Sequence, residues 1–469
     1  MDFIADDDEW ATDQFSHGQF GDPRRVARAT SMLRSALARP SGKLTETFRT
    51  SAHRQGAYDF VEGPVEPELL MESIASATAR QLGELASIFV PVDGTSLSLT
   101  DRQRTKGFGA IGKRAFPTLG LKVIDAVAVT RAGVPVGLLD LRFWARAPKA
   151  TMSRAKRRKR GVMETQHWLD TVEMVAARLC EHAPNCTPCF VIDREGDASS
   201  VLRAVSAPGR RFIVRASQDR RIAHKAGRRR MLKAHMKRQP VIGTRVVNVP
   251  AGPNRRARIA VLDLRRARVV LDLPDYEIGR RSELEVDVVW ATEHRKPRGE
   301  ERLDWMLLTN EPCADIADVH RVLDGYCLRW RIEDFHRSWK SGRCNVEDTQ
   351  LRSRDAVIRW ATILAAVATR IEQLKHFART TPDAPASVAL SAIEIEALIA
   401  AKRLMKSRVE TISDTMPTIA QAVRWIADLG GYTGKSSGGL PGSITIGRGL
   451  EWLAPWTLGF ASGRKSRRR

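Results

Sequence analysis

The stretch LKVIDAVAVTRAGVPVGLLDLRFWAR, residues 121–146, decides how the central part of the chain folds. Two runs rich in β-branched and other apolar residues flank Arg131-Ala132-Gly133, and a glycine-containing turn between such runs predicts a β-hairpin. Upstream, SIFVPVDGTSLSL, residues 87–99, is typical of a further strand that ends at a turn. The region therefore opens with three predicted strands.

Helices and strands alternate downstream of this hairpin. Apolar residues recur over 168–179 at i, i+4, i+7 and i+11, which predicts a helix with one apolar stripe. A short buried strand (189–193), a helix (198–205) and the strand RFIVRAS (211–217) follow. This order favours a mixed α/β sheet and resembles the ribonuclease-H-like fold.

The flanking regions have other patterns. Residues 1–70 favour short helices rich in arginine, whereas 240–310 is rich in strands and is interpreted as a β insertion separate from the first sheet. Helical patterns cover 355–378, 391–405 and 417–428, and a short final helix is predicted around Leu450.

The charge balance points to a polyanionic partner. The 469 residues include 77 Lys plus Arg against 54 Asp plus Glu, a formal net charge of +23. Basic runs at 154–160, 228–230 and 464–469 fit sequence-independent phosphate contact, although each alone is equally consistent with a solvated segment. Nucleic acid is the expected partner.

Cysteine and hydropathy patterns bear on compartment and metal content. The sequence predicts no membrane span and no signal peptide, and six cysteines in so long a chain favour a reducing compartment. Cys186-x-x-Cys189 lacks a second pair of zinc ligands, so we interpret it as free thiols. These patterns favour a cytoplasmic protein, and the nucleic-acid partner expected from the charge would be met there.

Two aspartates follow apolar strands. Asp93 follows residues 87–92, and Asp193 closes residues 189–192. Ligand groups of open α/β sheets gather where the strands end, although each Asp alone could simply cap a turn. The two positions are therefore candidate site residues.

A helical pattern over Tyr326–Gly342 adds a third carboxylate. At about 100° per residue, Tyr326, Arg329, Glu333 and Lys340 share one arc beside a separate apolar face. A surface ion-pair stripe is the alternative interpretation. Two aspartates and one glutamate are the hard oxygen ligands that Mg²⁺ or Mn²⁺ prefers, and such ions support phosphodiester chemistry.

With these motifs the chain resembles the DDE cut-and-paste transposases of bacterial insertion sequences, in the transposon-five-like branch. The resemblance rests on VDGTSLSL around Asp93, VIDREGD around Asp193 and the Tyr-Arg-Glu-Lys spacing of residues 326–340. Further stretches resemble the family's motifs and occur in the family's order across nearly the whole chain. They are FGDPRRVAR (20–28), SGK (41–43), QGAYDF (55–60) and LDWMLLTNEP (303–312).

The resemblance implies roles for individual residues. Asp93, Asp193 and Glu333 would be the catalytic, metal-binding triad, with Mg²⁺ as cofactor and Mn²⁺ as its substitute. The implied DNA contacts are Arg24, Arg25, Arg28 and Lys43 in the N-terminal module, Arg215, Trp305 as a stacking partner for a flipped base, and Tyr326, Arg329 and Lys340 at the phosphates beside that base.

The resemblance also implies domains and a reaction. The domains would be an N-terminal helical DNA-binding domain (1–70), a ribonuclease-H-like core (71–215 and 311–375), a β-rich insertion (216–310) and a C-terminal helical dimerisation region (376–469). The enzyme would nick transposon ends, form and open a hairpin and transfer the strand to target DNA, as a homodimer joined through 417–428 and 450–460.

Two departures and two alternatives stay open. His167 stands where relatives carry a lysine, and the loop 154–160 is basic where theirs is acidic. The alternatives are a structure-selective nuclease or resolvase on the same fold and a non-catalytic DNA-binding regulator derived from a transposase.

Overall fold

The computed structural model describes residues 6–112, 118–146, 163–223, 230–249, 256–275, 279–295, 298–405, 412, 415–434 and 439–467. The helices are α1 (Asp7–Phe15), α2 (Pro23–Ala38), α3 (Leu44–Thr47), α4 (Ser51–Val61), α5 (Pro67–Gln81), α6 (Thr165–His182), α7 (Ser199–Val205), α8 (Leu232–Met236), α9 (Ile316–Cys327), α10 (Trp330–Lys340), α11 (Arg354–Thr380), α12 (Ala392–Met405), α13 (Ile419–Leu429) and α14 (Ser443–Arg467). The strands are β1 (Ser87–Ser98), β2 (Gly109–Ile111), β3 (Thr118–Val129), β4 (Pro135–Trp144), β5 (Thr187–Ile192), β6 (Arg211–Arg215), β7 (Arg221–Ile222), β8 (Arg230–Met231), β9 (Gly243–Val249), β10 (Arg258–Asp275), β11 (Arg280–Glu293) and β12 (Asp304–Thr309). The basic run 154–160 and residues 228–229 lie outside the described part of the chain.

One mixed sheet organises the α/β fold. Within the described ranges its 12 strands run in the order β2-β3-β1-β5-β6-β12-β11-β10-β7-β8, and β4 and β9 pair with β3 and β10. Strands β1, β5 and β6 are parallel, whereas β3 and β4 form the predicted antiparallel hairpin. The parallel strands have apolar side chains on both faces, because helices cover both sides.

Side-chain alternation divides the central strands between two cores. The side chains of Val90, Val92 and Ile192 pack with helix α6, whereas Phe89 and Val191 pack on the opposite face with α9, α10 and α11. Residues two apart point to the same face of a sheet. Asp93, Asp125, Asp193 and Arg215 therefore follow Phe89, Val123, Val191 and Ile213 on the face covered by α9 and α10.

The strand-rich region after residue 240 does not form a separate sheet, contrary to the sequence interpretation. Strand β12 pairs antiparallel with β6, with Leu307 opposite Arg215, and β11 and β10 extend the sheet from there. Backbone hydrogen bonding at the free edge of β6 makes the continuation favourable, because an unpaired buried edge would leave polar groups without partners.

Two helix predictions also need correction. The pattern from Tyr326 to Gly342 is divided, because α9 ends at Cys327 and α10 begins at Trp330. Between them the amides of Arg329 and Ile332 donate to carbonyls three residues back, which makes one tighter turn. The final helix α14 spans 25 residues rather than one short segment.

The N-terminal helices pack on the long helix α11. Indole Nε1 of Trp360 lies 3.1 Å from the carbonyl oxygens of both Ser41 and Gly42, and Arg359 donates to the Val61 carbonyl at 2.7 Å. Helix α2 begins with Asp22 as its N-cap, whose side chain accepts the amide of Arg24, and Pro23 occupies the first turn. Among the described helices, none combines the length and apolarity of a membrane span.

Candidate active site

Strand register brings Asp93 and Asp193 side by side. The parallel pairing of β1 and β5 ends at Val92 opposite Ile192, and the residues that follow on the two strands are Asp93 and Asp193. Neighbouring strands lie about 4.8 Å apart. The sequence predicted that Asp93 would end its strand, and this prediction is wrong. Strand β1 continues to Ser98 in antiparallel pairing with β3, where Asp93 faces Asp125. The parallel neighbour ends there, and this opens the sheet beside Asp93.

Helix α10 brings Glu333 to the same point. Single ligand atoms of Asp93, Glu333 and His336 all lie within 4.8 Å of one another. Asp193 adjoins this group through the strand register, and its Oδ1 accepts the amide of Glu195 at 2.7 Å. The structure thus brings Asp93 and Glu333 into one cluster of ligand atoms and places Asp193 on the neighbouring strand, outside that cluster.

Burial gives Asp93 an unusual protonation equilibrium. The residue is 6% exposed, and desolvation raises its pKa to about 7, although the positive charges of His336 and Arg329 oppose that rise and Asp193 adds to it. A bound cation would stabilise the charged form of this buried carboxylate, which lies beside the half-buried Asp193 and Glu333. The donor set is mainly carboxylate oxygen, which fits a divalent ion such as Mg²⁺ or Mn²⁺.

Arg329 supplies the nearest positive charge. Its guanidinium lies 2.9 Å from Asp93 Oδ2 and 3.3 Å from Glu333 Oε1, and both partners of the shorter contact are buried. The turn between α9 and α10 places Arg329 at the start of α10, one helical turn before Glu333. The arginine therefore holds the two carboxylates together in this structure.

His336 is a site residue that the sequence interpretation missed. Its Nε2 lies 2.7 Å from Asp125 Oδ1, and both side chains are buried. Burial alone would lower the pKa of His336, but the carboxylates of Asp125, Asp93 and Glu333 raise it above its ordinary value. The available signal was its spacing, because a residue three positions after Glu333 lies on the same helix face.

The other signature residues surround this centre. Lys340 Nζ donates to Thr95 Oγ1 at 3.1 Å, and Lys122 Nζ donates to Ser96 Oγ at 3.0 Å, both on the strand that carries Asp93. Lys340 thus lies on the face that carries Asp93, where a phosphate backbone would be attracted, whereas strand alternation places Ser96 and Lys122 on the opposite face of the sheet.

Trp305, Tyr326 and Arg215 form a second group on the same face. The rings of Trp305 and Tyr326 lie 5.6 Å apart at 60°, and Arg215 donates to the Asp304 carbonyl at 3.0 Å. Burial raises the pKa of Tyr326, opposed by Arg215. Trp305 also lines an apolar cleft of about 440 Å³ together with the half-exposed ring of Trp330.

The N-terminal basic residues differ in how exposed they are and in which groups they contact. The side chain of Arg24 is 91% exposed and forms an ion pair with Asp22, whereas Arg25 donates to the Phe20 carbonyl. The guanidinium of Arg28 lies against Gly56, where a Cβ would approach it to 2.7 Å. Lys43 is held by Asp348 at 2.6 Å and by Glu46 at 3.4 Å.

Two remaining sequence features are also located. His167 stacks on Trp144, with ring centroids 4.0 Å apart, and burial lowers its pKa. Cys186 and Cys189 are buried cysteines that form no disulfide.

Two protein-family models match parts of this chain. The family model described as transposase DDE domain matches residues 155–370, and the one described as transposase DNA-binding matches residues 7–64. The first match contains Asp193, Glu333 and His336 but begins after Asp93. The second contains Arg24, Arg25, Arg28 and Lys43.

Proposed function

We propose that this chain, which is a metal-dependent DNA transposase with a DDE domain and a DNA-binding domain, moves DNA by the cut-and-paste route. The observation that supports the proposal is the cluster of Asp93 with Glu333 beside Arg329, with Asp193 on the adjacent strand. We assign the chain to the transposon-five-like branch and its core, 71–215 with 311–375, to the ribonuclease-H-like fold.

The three carboxylates would hold Mg²⁺, or Mn²⁺ in its place. When bound, two such ions lower the pKa of a nucleophilic water and stabilise the leaving 3′ oxygen. Asp93 must be deprotonated to serve as a ligand, and Arg329 must release at least one carboxylate. The freed guanidinium then lies one helical turn from Glu333, where it binds a phosphate next to the scissile bond.

The DNA strand would lie along the cations of this face. Lys340, which lies beside Thr95 of β1, would contact a phosphate of this DNA strand. Trp305, supported by the ring of Tyr326, would stack on a base turned out of the duplex, with Arg215 beside it. Stacking on an aromatic ring stabilises a flipped base by about 1–3 kcal/mol.

The same carboxylates would serve every step in turn. Water first cleaves one strand at the transposon end, and the released 3′-OH then attacks the opposite strand to form a hairpin. Water opens the hairpin, and the new 3′-OH attacks target DNA. Each step is an in-line displacement at phosphorus, so the residues need no rearrangement of roles.

The remaining regions would recognise the ends and join two copies. Residues 1–70 would bind the inverted repeats through Arg24, Arg25, Arg28 and, after release from Asp348, Lys43. The segment 216–310 would hold the flipped base, and 376–469 would form the homodimer through 417–428 and 450–460. Exposed Trp452 and Leu458 on α14 support that contact. The complex would work at the bacterial nucleoid.

A paired-end cleavage assay tests the proposal. The DNA ends are the inverted repeats that flank the coding region, and the reaction contains purified chain with Mg²⁺. Hairpinned ends support cut-and-paste transposition. Nicks without hairpins would indicate a structure-selective nuclease, and binding without cleavage would indicate a regulator. Asp193→Asn is the negative control, because it keeps the shape of the side chain and removes its charge.

A further inference from the structure

A second cluster of potential ligands lies behind the catalytic helix. Asp334, the residue after Glu333, meets Glu372 and His376 of α11, and one ligand atom of each lies within 4.8 Å of the others. Glu372 and His376 are 0% and 2% exposed. The cluster is separate from the catalytic centre, because Asp334 points away from the sheet toward α11.

The imidazole of His376 is incompletely hydrogen-bonded. Its Nδ1 makes no hydrogen bond within the described part of the chain, and its Nε2 faces Asp334 Oδ2 at 3.3 Å without hydrogen-bond geometry. The Oε2 atom of Glu372 forms an ion pair with Lys375. Burial lowers the pKa of His376, which keeps the imidazole neutral and able to ligate a metal. A buried imidazole with an unpartnered nitrogen, beside two carboxylates that share one ammonium, is a costly arrangement that a bound metal ion would relieve.

The spacing of the three groups fits a small transition-metal ion. His376 Nε2 lies 3.3 Å from Asp334 Oδ2 and 3.7 Å from Glu372 Oε2. Around Zn²⁺, bonds of about 2.0–2.1 Å place tetrahedral ligands about 3.3–3.4 Å apart. We propose that Asp334, Glu372 and His376 form a transition-metal site of the Zn²⁺ class, distinct from the Mg²⁺-type catalytic centre.

Lys375 occupies the place of the ion in this structure. Its ammonium forms ion pairs with Glu372 Oε2 and, at 3.1 Å, with Asp334 Oδ2, and it lies 3.2 Å from Ser443 Oγ. A cavity of about 470 Å³ adjoins it, lined in part by Ser443, Arg379 and Tyr432. A bound Zn²⁺ would displace the flexible ammonium into this cavity, and the fourth coordination position would open there.

The site would connect the catalytic helix to the C-terminal helices. Asp334 belongs to α10, Glu372 and His376 belong to α11, and the other oxygen of Glu372 accepts hydrogen bonds from Ser338 of α10 and Ser443 of α14. A metal ion would therefore hold the helix that carries Glu333 against both neighbours. This role is structural and does not depend on the route of transposition.

Metal binding by the full-length chain tests the proposal. The background variant carries Asp93→Asn and Glu333→Gln, which disables the catalytic centre, and excess Mg²⁺ is present throughout. We expect one Co²⁺ per chain with tetrahedral visible absorption, displaced by Zn²⁺. His376→Gln in this background should lower Zn²⁺ affinity by at least the about 10–100-fold that loss of a supporting partner produces.

Lys375→Met provides the opposing variant. Removal of the competing ammonium should raise Zn²⁺ affinity and make Zn²⁺ increase the unfolding temperature more than in the background protein. Absence of Co²⁺ absorption in the background protein, or equal affinity after His376→Gln, overturns the proposal. If His376→Gln does not fold, Lys375→Met decides: higher affinity supports the site, and unchanged or lower affinity overturns it. Because the catalytic centre is disabled, failure here leaves the proposed transposition unaffected.

Discussion

The guanidinium of Arg329 lies 2.9 Å from the carboxylate of Asp93, and the two side chains are 9% and 8% exposed. Arg329 also contacts Glu333 at 3.3 Å. The arginine therefore stabilises in the metal-free protein the same carboxylates that would hold the cations. Phosphate and carboxylate compete for one guanidinium, so metal binding and DNA binding should be linked.

Arg329→Ala tests this role of the arginine. Because breaking a buried ion pair leaves an uncompensated charge, we expect the metal-free unfolding free energy to fall by about 3–5 kcal/mol and Mg²⁺ to restore part of it. Urea unfolding with and without Mg²⁺ measures both effects. The matched control is Arg337→Ala, whose 70% exposed side chain makes a surface pair and should change stability by at most about 1 kcal/mol. Equal losses in the two variants would contradict the role.

The raised pKa of Asp93 predicts how stability depends on pH. Its pKa of about 7 in the folded chain exceeds the ordinary 3.8, so between these values the folded chain binds more protons than the unfolded chain. The contribution of Asp93 to the free energy of unfolding is therefore fully present below about pH 4 and is lost as the pH rises through about 7. Metal-free wild type should lose more stability between pH 5 and 8 than Asp93→Asn. Parallel urea midpoints for the two proteins would contradict the assignment.

Loss of one proposed metal ligand should separate catalysis from DNA binding. Glu333→Gln keeps the shape of the side chain but weakens the cation site. Because the cations would stabilise the transition state by several kcal/mol, we expect the cleavage rate to fall by at least about 10²–10³-fold. Chelation of divalent ions should abolish cleavage likewise, whereas binding to transposon-end DNA persists. Cleavage on gels and gel shifts measure the two activities. Glu173→Gln, at an exposed ion pair with Arg210, should leave both unchanged.

Trp305 should matter for the hairpin rather than for the first nick. Trp305→Ala removes about 1–3 kcal/mol of base stacking, which corresponds to a roughly 5- to 150-fold loss of hairpin product relative to nicked product. Trp305→Phe keeps a ring and should retain most of the ratio. Thermal melting separates this effect from loss of the contact with Tyr326. An unchanged hairpin-to-nick ratio in Trp305→Ala would rule out the stacking role.

Arg24 should contribute to DNA affinity without contributing to the fold. Its side chain is 91% exposed, so Arg24→Ala should leave thermal stability unchanged and reduce the dependence of log affinity on log salt by about 0.9. Fluorescence anisotropy over a salt series measures this slope. A slope equal to that of the wild type would place Arg24 outside the DNA contact.

Local patterns predicted the centre of the fold and the identity of its carboxylates. The β3–β4 hairpin, helices α6, α11, α12 and α13, and strands β5 and β6 lie where periodicity placed them. The order of these elements brings β1 beside β5, which aligns Asp93 with Asp193. Whether these residues act as proposed remains a prediction.

Other features depended on contacts between distant segments. The pairing of Leu307 with Arg215 joins the strand-rich region to the central sheet, and no local period reports which edge a strand will join. The break before Trp330 arises where α9 and α10 pack differently on the sheet. The bond between His336 and Asp125 likewise links residues 211 positions apart.

By itself, the sequence determined which residues lie on which face of each helix and strand, because that depends only on backbone periods of 3.6 and 2 residues. It also determined the positive charge that suits a DNA partner. Only the tertiary structure decided which faces meet: the row of Asp93, Asp193 and Glu333, the arginine between two of them, and the cluster of Asp334, Glu372 and His376. Those neighbours follow from the packing free energy of the whole core, which no single segment contains.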